Sequence, residues 1–362
     1  MKNEKINSFG LSSLICSLCS APFYGIFSSY TLHSSRNATP ISLIIGFVIS
    51  IIISYFILQF FKTNKNTNFS SKLKNIFNNF SYFLIIPTLA CSLFGYILLT
   101  YRLTTFLSSQ YLIETPKYIL LTSILLLTFY VANKGIETIT RVSTISLYIS
   151  IIIFLFEFFS LLPQVNFQNF LPIIDVSLNN IIISSIIFAF YFTIPIIHIN
   201  IISMNQIVDK EKFNKYYYLT ILIAFIMIFL SMSTTIGILG INTSNLFDYP
   251  LYTTLKRIKL FSFLDSLENI SIMLWILYII NASSTMLSFV FSSLKDTFKL
   301  SIKKSKIINI LILLISFAIP NFIFFNNNYN ESYEYIWLPF SLLVFMFIVI
   351  IITLVKNRLT NN

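Results

Sequence analysis

Two carboxylates stand out in this 362-residue chain, in which only 10% of residues are charged. Glu157 falls near the outer end of a long apolar run and Glu268 opens another. An ionisable group at membrane depth is costly to hold. Each of the two therefore either handles a ligand, ion or proton, or is a buried structural carboxyl, hydrogen-bonded or protonated. Asn281, Ser284, Thr285 and Ser288 share one helical face, and Ser283 adjoins them. Hydroxyl residues in such a row also serve as ordinary packing groups between membrane helices. Tyr96 could offer a phenol to a cavity, although 20 Tyr and 39 Phe make aromatic walls the general expectation. His198 either titrates or is a satisfied helix-contact residue. Cys16, Cys19 and Cys91 have no metal-ligand spacing and read as small buried residues, with no disulfide expected. There is no nucleophile triad, phosphate loop, Cys/His metal cluster or nucleotide motif. The chain is not expected to be an enzyme or to carry a cofactor or metal.

The elements that position these residues are ten apolar runs. A run of about 17–25 apolar residues crosses a bilayer as a helix. The runs are Ser8–Leu32, Ile41–Phe61, Phe80–Leu107, Tyr118–Ala132, Val142–Leu162, Ile181–Ile201, Tyr217–Gly237, Leu267–Phe291, Ile307–Phe325 and Tyr335–Val355. Apolar residues make up 56% of the chain, and the mean hydropathy is +0.82. A soluble domain carries about 25% charged residues. The first run is longer than the apolar region of a signal peptide and no A-x-A site follows it. The chain reads as one all-α membrane domain, residues 1–362, with no soluble domain in its gaps.

Charge sets the orientation. Of the 24 Lys and Arg, all but Arg36, Arg102, Lys117, Lys256, Arg257 and Lys259 lie at the termini or in the gaps after runs 2, 4, 6 and 8. Basic residues gather on the cytoplasmic side. Both termini are therefore expected in the cytoplasm, and the net charge of +11 suits the anionic inner leaflet rather than nucleic acid. The gap Lys62–Asn79 reads as polar and basic. The gap Pro163–Asn180 reads as partly ordered, since Phe167, Phe170, Leu171 and Ile173 are poorly suited to water. Leu251, Leu255, Ile258 and Phe261 fall on one helical face. That segment is either a helix lying in the outer interface or a lid packed on the protein.

Two prolines carry more. Pro22 and Pro195 each lie well inside a run, and each lacks an N–H and disturbs the helix before it. Small or polar residues flank both: Ser20, Ala21, Tyr24 and Gly25 at the first, and Tyr191 and Thr193 at the second. The runs that hold them have opposite directions and are five apart. Matched discontinuous helices in an inverted repeat mark a ligand site between two halves. The halves would be residues 8–162 and 181–355, with the ligand between Ser20–Gly25 and Phe190–Pro195 and with runs 3 and 8 as walls. Two unrelated proline kinks are the alternative.

The stretch Val131-Ala-Asn-Lys-Gly-Ile-Glu-Thr-Ile-Thr-Arg-Val142 resembles the x-A-x-x-G-[IL]-x-x-I-x-R signature of spore germination permeases, the B subunits of germinant receptors. Asn169-Phe-Leu-Pro-Ile-Ile174, Tyr249-Pro-Leu and Phe263-Leu-Asp-Ser-Leu-Glu268 resemble later segments of that family in the same order. The resemblance covers nearly the whole chain. It implies a LeuT-like fold, that of the amino acid–polyamine–organocation transporters. It also implies a subunit of the spore membrane that recognises a small nutrient such as an amino acid, with a membrane A subunit and a lipoprotein C subunit as partners. The family's glycine-rich break is reduced here to Gly25, and Ser266 stands where an Arg is frequent. Under the resemblance, Ser284 and Thr285 are similar in position to the cation site that such transporters build from spans 1 and 8. The competing reading is a cation-coupled amino acid transporter. On either reading the ligand-site candidates are Ser20, Ala21, Pro22, Tyr24, Gly25, Tyr96, Tyr191, Phe192, Thr193, Asn281 and Ser284. Glu157, Glu268 and Thr285 are the candidates for ion or proton handling.

Overall fold

Backbone N–H and C=O groups cannot be left unpaired in hydrocarbon, so apolar runs of this length fold as helices. The computed structural model describes residues 5–258, 268–325 and 336–361, apart from the side chains at 25, 26, 268, 360 and 361. In chain order its helices are α1 Ser8–Pro22, α2 Ser28–Ser35, α3 Thr39–Lys62, α4 Phe69–Phe77, α5 Ser81–Gln110, α6 Lys117–Asn133, α7 Ile136–Leu161, α8 Leu178–Thr193, α9 Lys210–Leu239, α10 Ile241–Ser244, α11 Pro250–Leu255, α12 Glu268–Phe298, α13 Ile302–Ile319 and α14 Trp337–Asn361. Among the described residues, eight helical stretches are long and apolar enough to cross a membrane, and α1 and α6 are shorter apolar helices. The chain is an integral membrane protein.

The two proline sites do not unwind. After Pro22 the chain makes a π turn, Phe23–Phe27, and continues directly into α2. After Thr193 it tightens into a 3-10 helix, Ile194–Ile201, with Pro195 in its first turn. The expected breaks are thus changes of helix type. Each proline removes one donor, and the neighbouring turns re-pair around it. A second π turn, Pro320–Phe324, follows α13. His198 lies in the 3-10 segment. Its Nδ1 is 2.7 Å from the Pro195 carbonyl and its Nε2 is 3.1 Å from Ser92 Oγ, so both ring nitrogens are satisfied.

α12 packs against α5, α6 and α7, α1 packs against α9, α7 and α12, and α3 lies along α8. The α3–α8 approach is close. A Cβ added at Gly46 would sit 2.8 Å from the Ser185 carbonyl oxygen and 2.7 Å from the Phe188 ring. Between α6 and α7, Gly135 takes φ 94°, the left-handed region that favours glycine. That fixes the place of the one glycine in the Val131–Val142 stretch.

The gap Lys62–Asn79 is not a solvated basic loop. It contains α4, whose Phe69, Leu73, Ile76 and Phe77 are buried together with Lys72. Lys72 Nζ donates to the carbonyls of Phe60 and Phe61 at 3.1 and 2.7 Å and to Asn200 Oδ1 at 3.0 Å. Lys74 Nζ donates to the carbonyls of Asp296 and Thr297 at 3.2 and 2.6 Å. α4 therefore supplies donors to carbonyls in the last turns of α3 and α12, of which that of Phe60 also accepts from the Thr63 N–H at 3.2 Å. At the same end, the Ile6 N–H donates to the Gln206 carbonyl and the Ser8 N–H to Asp209 Oδ1, both at 2.9 Å.

At the opposite end, Arg36 Nε pairs with Asp175 Oδ2 at 2.8 Å and its Nη2 donates to Asn242 Oδ1 at 3.1 Å. Residues 163–180 are partly ordered by two 3-10 turns, Leu162–Gln164 and Phe167–Phe170. Only Phe170 of the four apolar residues there is sheltered, beside Gly237. Phe167, Leu171 and Ile173 are exposed, contrary to expectation, because the turns anchor through the Asn166 and Asn169 bonds to the Gly237 carbonyl instead. α11 settles the lid alternative: Leu251, Tyr252 and Leu255 are buried against α9 and its neighbours, as is Ile258 just beyond. Phe261 lies outside the described residues.

Candidate functional site

Of the cavities that adjoin the π turn after α1, two hold Pro22 or Glu157. The first brings Pro22 and Pro195 together with Tyr191, the Gly95 surface of α5 and Met286 of α12. α14 closes it through Leu342 and Met346. The two prolines read from the sequence thus face one space, which α5 and Met286 of α12 also line. Its lining is almost wholly apolar, and the Tyr191 hydroxyl donates to the Ile336 carbonyl at 3.0 Å.

The second cavity lies between the π turn after α1 and helices α7, α9, α11 and α12. Among the described residues Glu157 is the one charged group in its lining, and it accepts a hydrogen bond from Ser271 Oγ. Tyr24 lines it and stacks on Trp275 with ring centroids 4.7 Å apart and 12° between planes. Tyr278 bonds to Ser150 on the far wall. α9 contributes Ser231, Thr234 and Thr235, and the α11 lid contributes Thr254.

Tyr24 therefore belongs to the Glu157 cavity and not to the proline cavity. Tyr96 lines neither; its hydroxyl is 2.9 Å from Thr128 Oγ1 of α6 because its face of α5 packs on that helix. Phe192 is buried against Phe188 and Phe47. Thr193 donates to the Ala189 carbonyl. Gly25 lies within the π turn, and its surroundings, like the side chain of Glu268 and residues Phe263 and Ser266, fall outside the described residues.

The polar face of α12 divides. Thr285 donates to the Asn281 carbonyl at 2.7 Å and Ser288 to the Ala132 carbonyl at 3.0 Å. Asn281 Nδ2, Ser283 Oγ and Ser284 Oγ are buried with no partner among the described residues, and so are Ser12, Ser17 and Ser20 Oγ on α1, which packs against α12. Other buried serines bond back to a carbonyl one turn earlier, as Ser13, Ser50 and Ser143 do. Buried polar atoms are nearly always paired, so these six are unusual among the buried polar atoms of α1 and α12. Ala21 is buried in the same helix.

Sequence reasoning picked out Glu157 and Tyr24 but not the hydroxyl set around them. A signal was present: Ser231-Met-Ser-Thr-Thr235 is a polar knot inside an apolar run. Thr254 and Ser271 have no comparable mark.

The sequence profile of the spore germination protein family matches residues 25–330. A stretch of 166 residues is 27% identical to a protein described as putative spore germination protein YfkT of Bacillus subtilis (strain 168). The match takes in 46% of this chain and 45% of that relative, so the chain aligns with less than half of the relative's length.

Proposed function

This chain belongs to the spore germination protein family, and from that premise we propose that it is the nutrient-sensing membrane subunit of a germinant receptor. A small nutrient such as an amino acid binds between spans 1, 3, 6 and 8 and shifts the balance between two conformations. A ligand does this only through different affinity for the two states. The shift acts on a membrane A subunit and a lipoprotein C subunit in the spore inner membrane. The observation that carries the reading is the cavity that joins Pro22 of span 1 to Pro195 of span 6. Two irregular helices converge there on one space, where neither packs as plain α-helix.

The proposed architecture is a LeuT-like inverted repeat of residues 8–162 and 181–355. The packing pairs support it. Span 1 lies along span 7 (α1 on α9) and span 2 along span 6 (α3 on α8), which exchange under inversion, and span 3 meets span 8 (α5 on α12). The proposed orientation has both termini in the cytoplasm. All three cysteines are buried, so introduced cysteines report cleanly. In intact cells Arg257→Cys should react with an impermeant maleimide and Lys212→Cys should not. The reverse pattern refutes the orientation.

Gly95 offers a direct test of the nutrient site. A Cβ there meets only Met286 Sδ, at 3.7 Å. Gly95→Ala should leave the nutrient response near normal. Gly95→Leu should fill the cavity and reduce the response at least tenfold, with the subunit still present in the spore membrane. Germination across an amino acid panel is the measurement, and a normal response from Gly95→Leu places the nutrient elsewhere.

A cation-coupled amino acid transporter is the second reading. The observation that favours it is the set of unpartnered oxygens of Ser12, Ser17 and Ser20 on α1 and of Ser283 and Ser284 on α12, two helices in contact; such oxygens suit a hard cation. Sodium-dependent amino acid uptake by the purified chain in liposomes would establish it. Nutrient binding without uptake would favour the sensor.

A further inference from the structure

The hydroxyls around Glu157 have already used their hydrogens. Ser231 donates to the Met227 carbonyl at 2.8 Å, Thr234 to the Leu230 carbonyl at 3.0 Å, and Thr235 to the Ser231 carbonyl at 2.8 Å. Thr254 donates to the Pro250 carbonyl at 2.9 Å and Ser150 to the Leu147 carbonyl at 2.9 Å. Ser271 donates to Glu157 itself. A hydroxyl has one hydrogen and two lone pairs. The serines and threonines of this cavity therefore present lone pairs to its interior. Glu157 adds two oxygens and, when ionised, negative charge, and among the described residues no Lys, Arg or His lines the space. The ion pairs among the described residues are Arg36–Asp175 and Arg141–Glu137, and neither involves Glu157.

We propose that this cavity is a binding site for the ammonium group of a small organic amine. Three features select that chemistry. An acceptor-rich wall with a carboxylate complements a group with several N–H donors and a positive charge. The stacked Tyr24 and Trp275 and the ring of Tyr278 supply π faces, on which a desolvated cation gains further. Phe154, Phe158, Leu251 and Leu274 line the remainder and suit a short apolar tail. A carboxylate ligand would meet an ionised Glu157 and serine and threonine hydroxyls whose hydrogens are already engaged. Its lid is α11, through Leu251, Thr254 and Leu255, so an occupant of the cavity is sensed by the π turn after α1 and by α7, α9, α11 and α12 together. The site is separate from the nutrient cavity, which Tyr24 does not line.

The test uses the full chain in detergent. The chain has two tryptophans, so Trp337→Phe leaves Trp275 as the sole reporter. Titration with n-butylammonium should change Trp275 fluorescence saturably, whereas butanol, butyrate and sodium chloride at matched ionic strength should not. Glu157→Gln keeps the shape and removes the charge, and should weaken butylammonium at least tenfold; Glu157→Asp should weaken it less. Thr234→Val removes one acceptor without touching the carboxylate and should weaken it a few-fold, which preserves the test if Glu157→Gln does not accumulate. Gly95→Leu should leave the titration unchanged, so this site and the nutrient site fail independently. Unchanged affinity in both Glu157→Gln and Thr234→Val overturns the proposal. So does saturation by butyrate or butanol, and saturation by sodium instead of the amine overturns it in favour of an inorganic cation site.

Discussion

Lys72→Met is expected to unfold the α4 end of the protein. Lys72 is fully buried, and its ammonium serves three acceptors: the carbonyls of Phe60 and Phe61 and the side chain of Asn200. Its charge also rests against the Phe60 and Phe61 rings, 5.3 and 5.1 Å from their centroids. Met matches the stem in length and apolarity and removes all three donors. Hydrogen bonds to a charged group contribute about 1.5–3 kcal/mol each, and an acceptor left buried and unpaired costs about 1–3 kcal/mol. The loss is therefore at least about 3 kcal/mol, a large part of the ~5–15 kcal/mol that holds a typical domain folded. Thermal unfolding in detergent should show a marked drop in midpoint. Lys74→Met is the control: Lys74 caps α12 in the same manner but is only half-buried, so water can replace it and the drop should be small. Equal drops would refute the account.

The second large effect is steric. Gly46→Leu should prevent stable accumulation, because the first carbon of the new side chain already collides with backbone at Ser185. A flexible neighbour could move aside, but a helical carbonyl cannot without parting α3 from α8. Overpacking of this kind costs about 1–3 kcal/mol for a small addition and more for a large one. Gly46→Ala should fall in that lower range and fold with a reduced midpoint. Gly95→Ala, whose new carbon finds ordinary contact distance, should be nearly neutral. A Gly46→Leu protein as stable as the parent would show that the helices are free to separate.

Much of this fold is written in the spacing of apolar runs, since hydrocarbon leaves the backbone no choice but helix. The two inner prolines were also legible, and they do meet at one cavity. What they do to the helix was not. A missing N–H states that a bond is lost, and only the packing around Phe23–Phe27 and Ile194–Ile201 decides whether the turn widens or tightens. The burial of Lys72 was hidden for a related reason: nothing in a polar, basic stretch reveals that the end of the preceding helix and the distant Asn200 will close around its ammonium. The Glu157 cavity shows the same limit. The carboxylate was conspicuous against its apolar run, whereas Thr254 and Ser271 come from distant segments and are common residue types. Their importance lies in where their hydrogens point, which is a property of the folded chain.

The π turn at Phe23–Phe27 also fixes the length of the first membrane rod. A π turn holds an extra residue that an α-helix would not, and each α-helical residue advances the chain by about 100° and 1.5 Å. Deleting one residue there should let Ser8–Ser35 close into plain α-helix with Thr31, Leu32 and Ser35 still on their buried face, because the wide turn absorbs its extra residue without turning the helix beyond it. A residue deleted inside α2 has no such slack and should carry Arg36 round by about 100°, off Asp175. In genetic terms a single lost codon should be tolerated within the π turn and damaging one turn later.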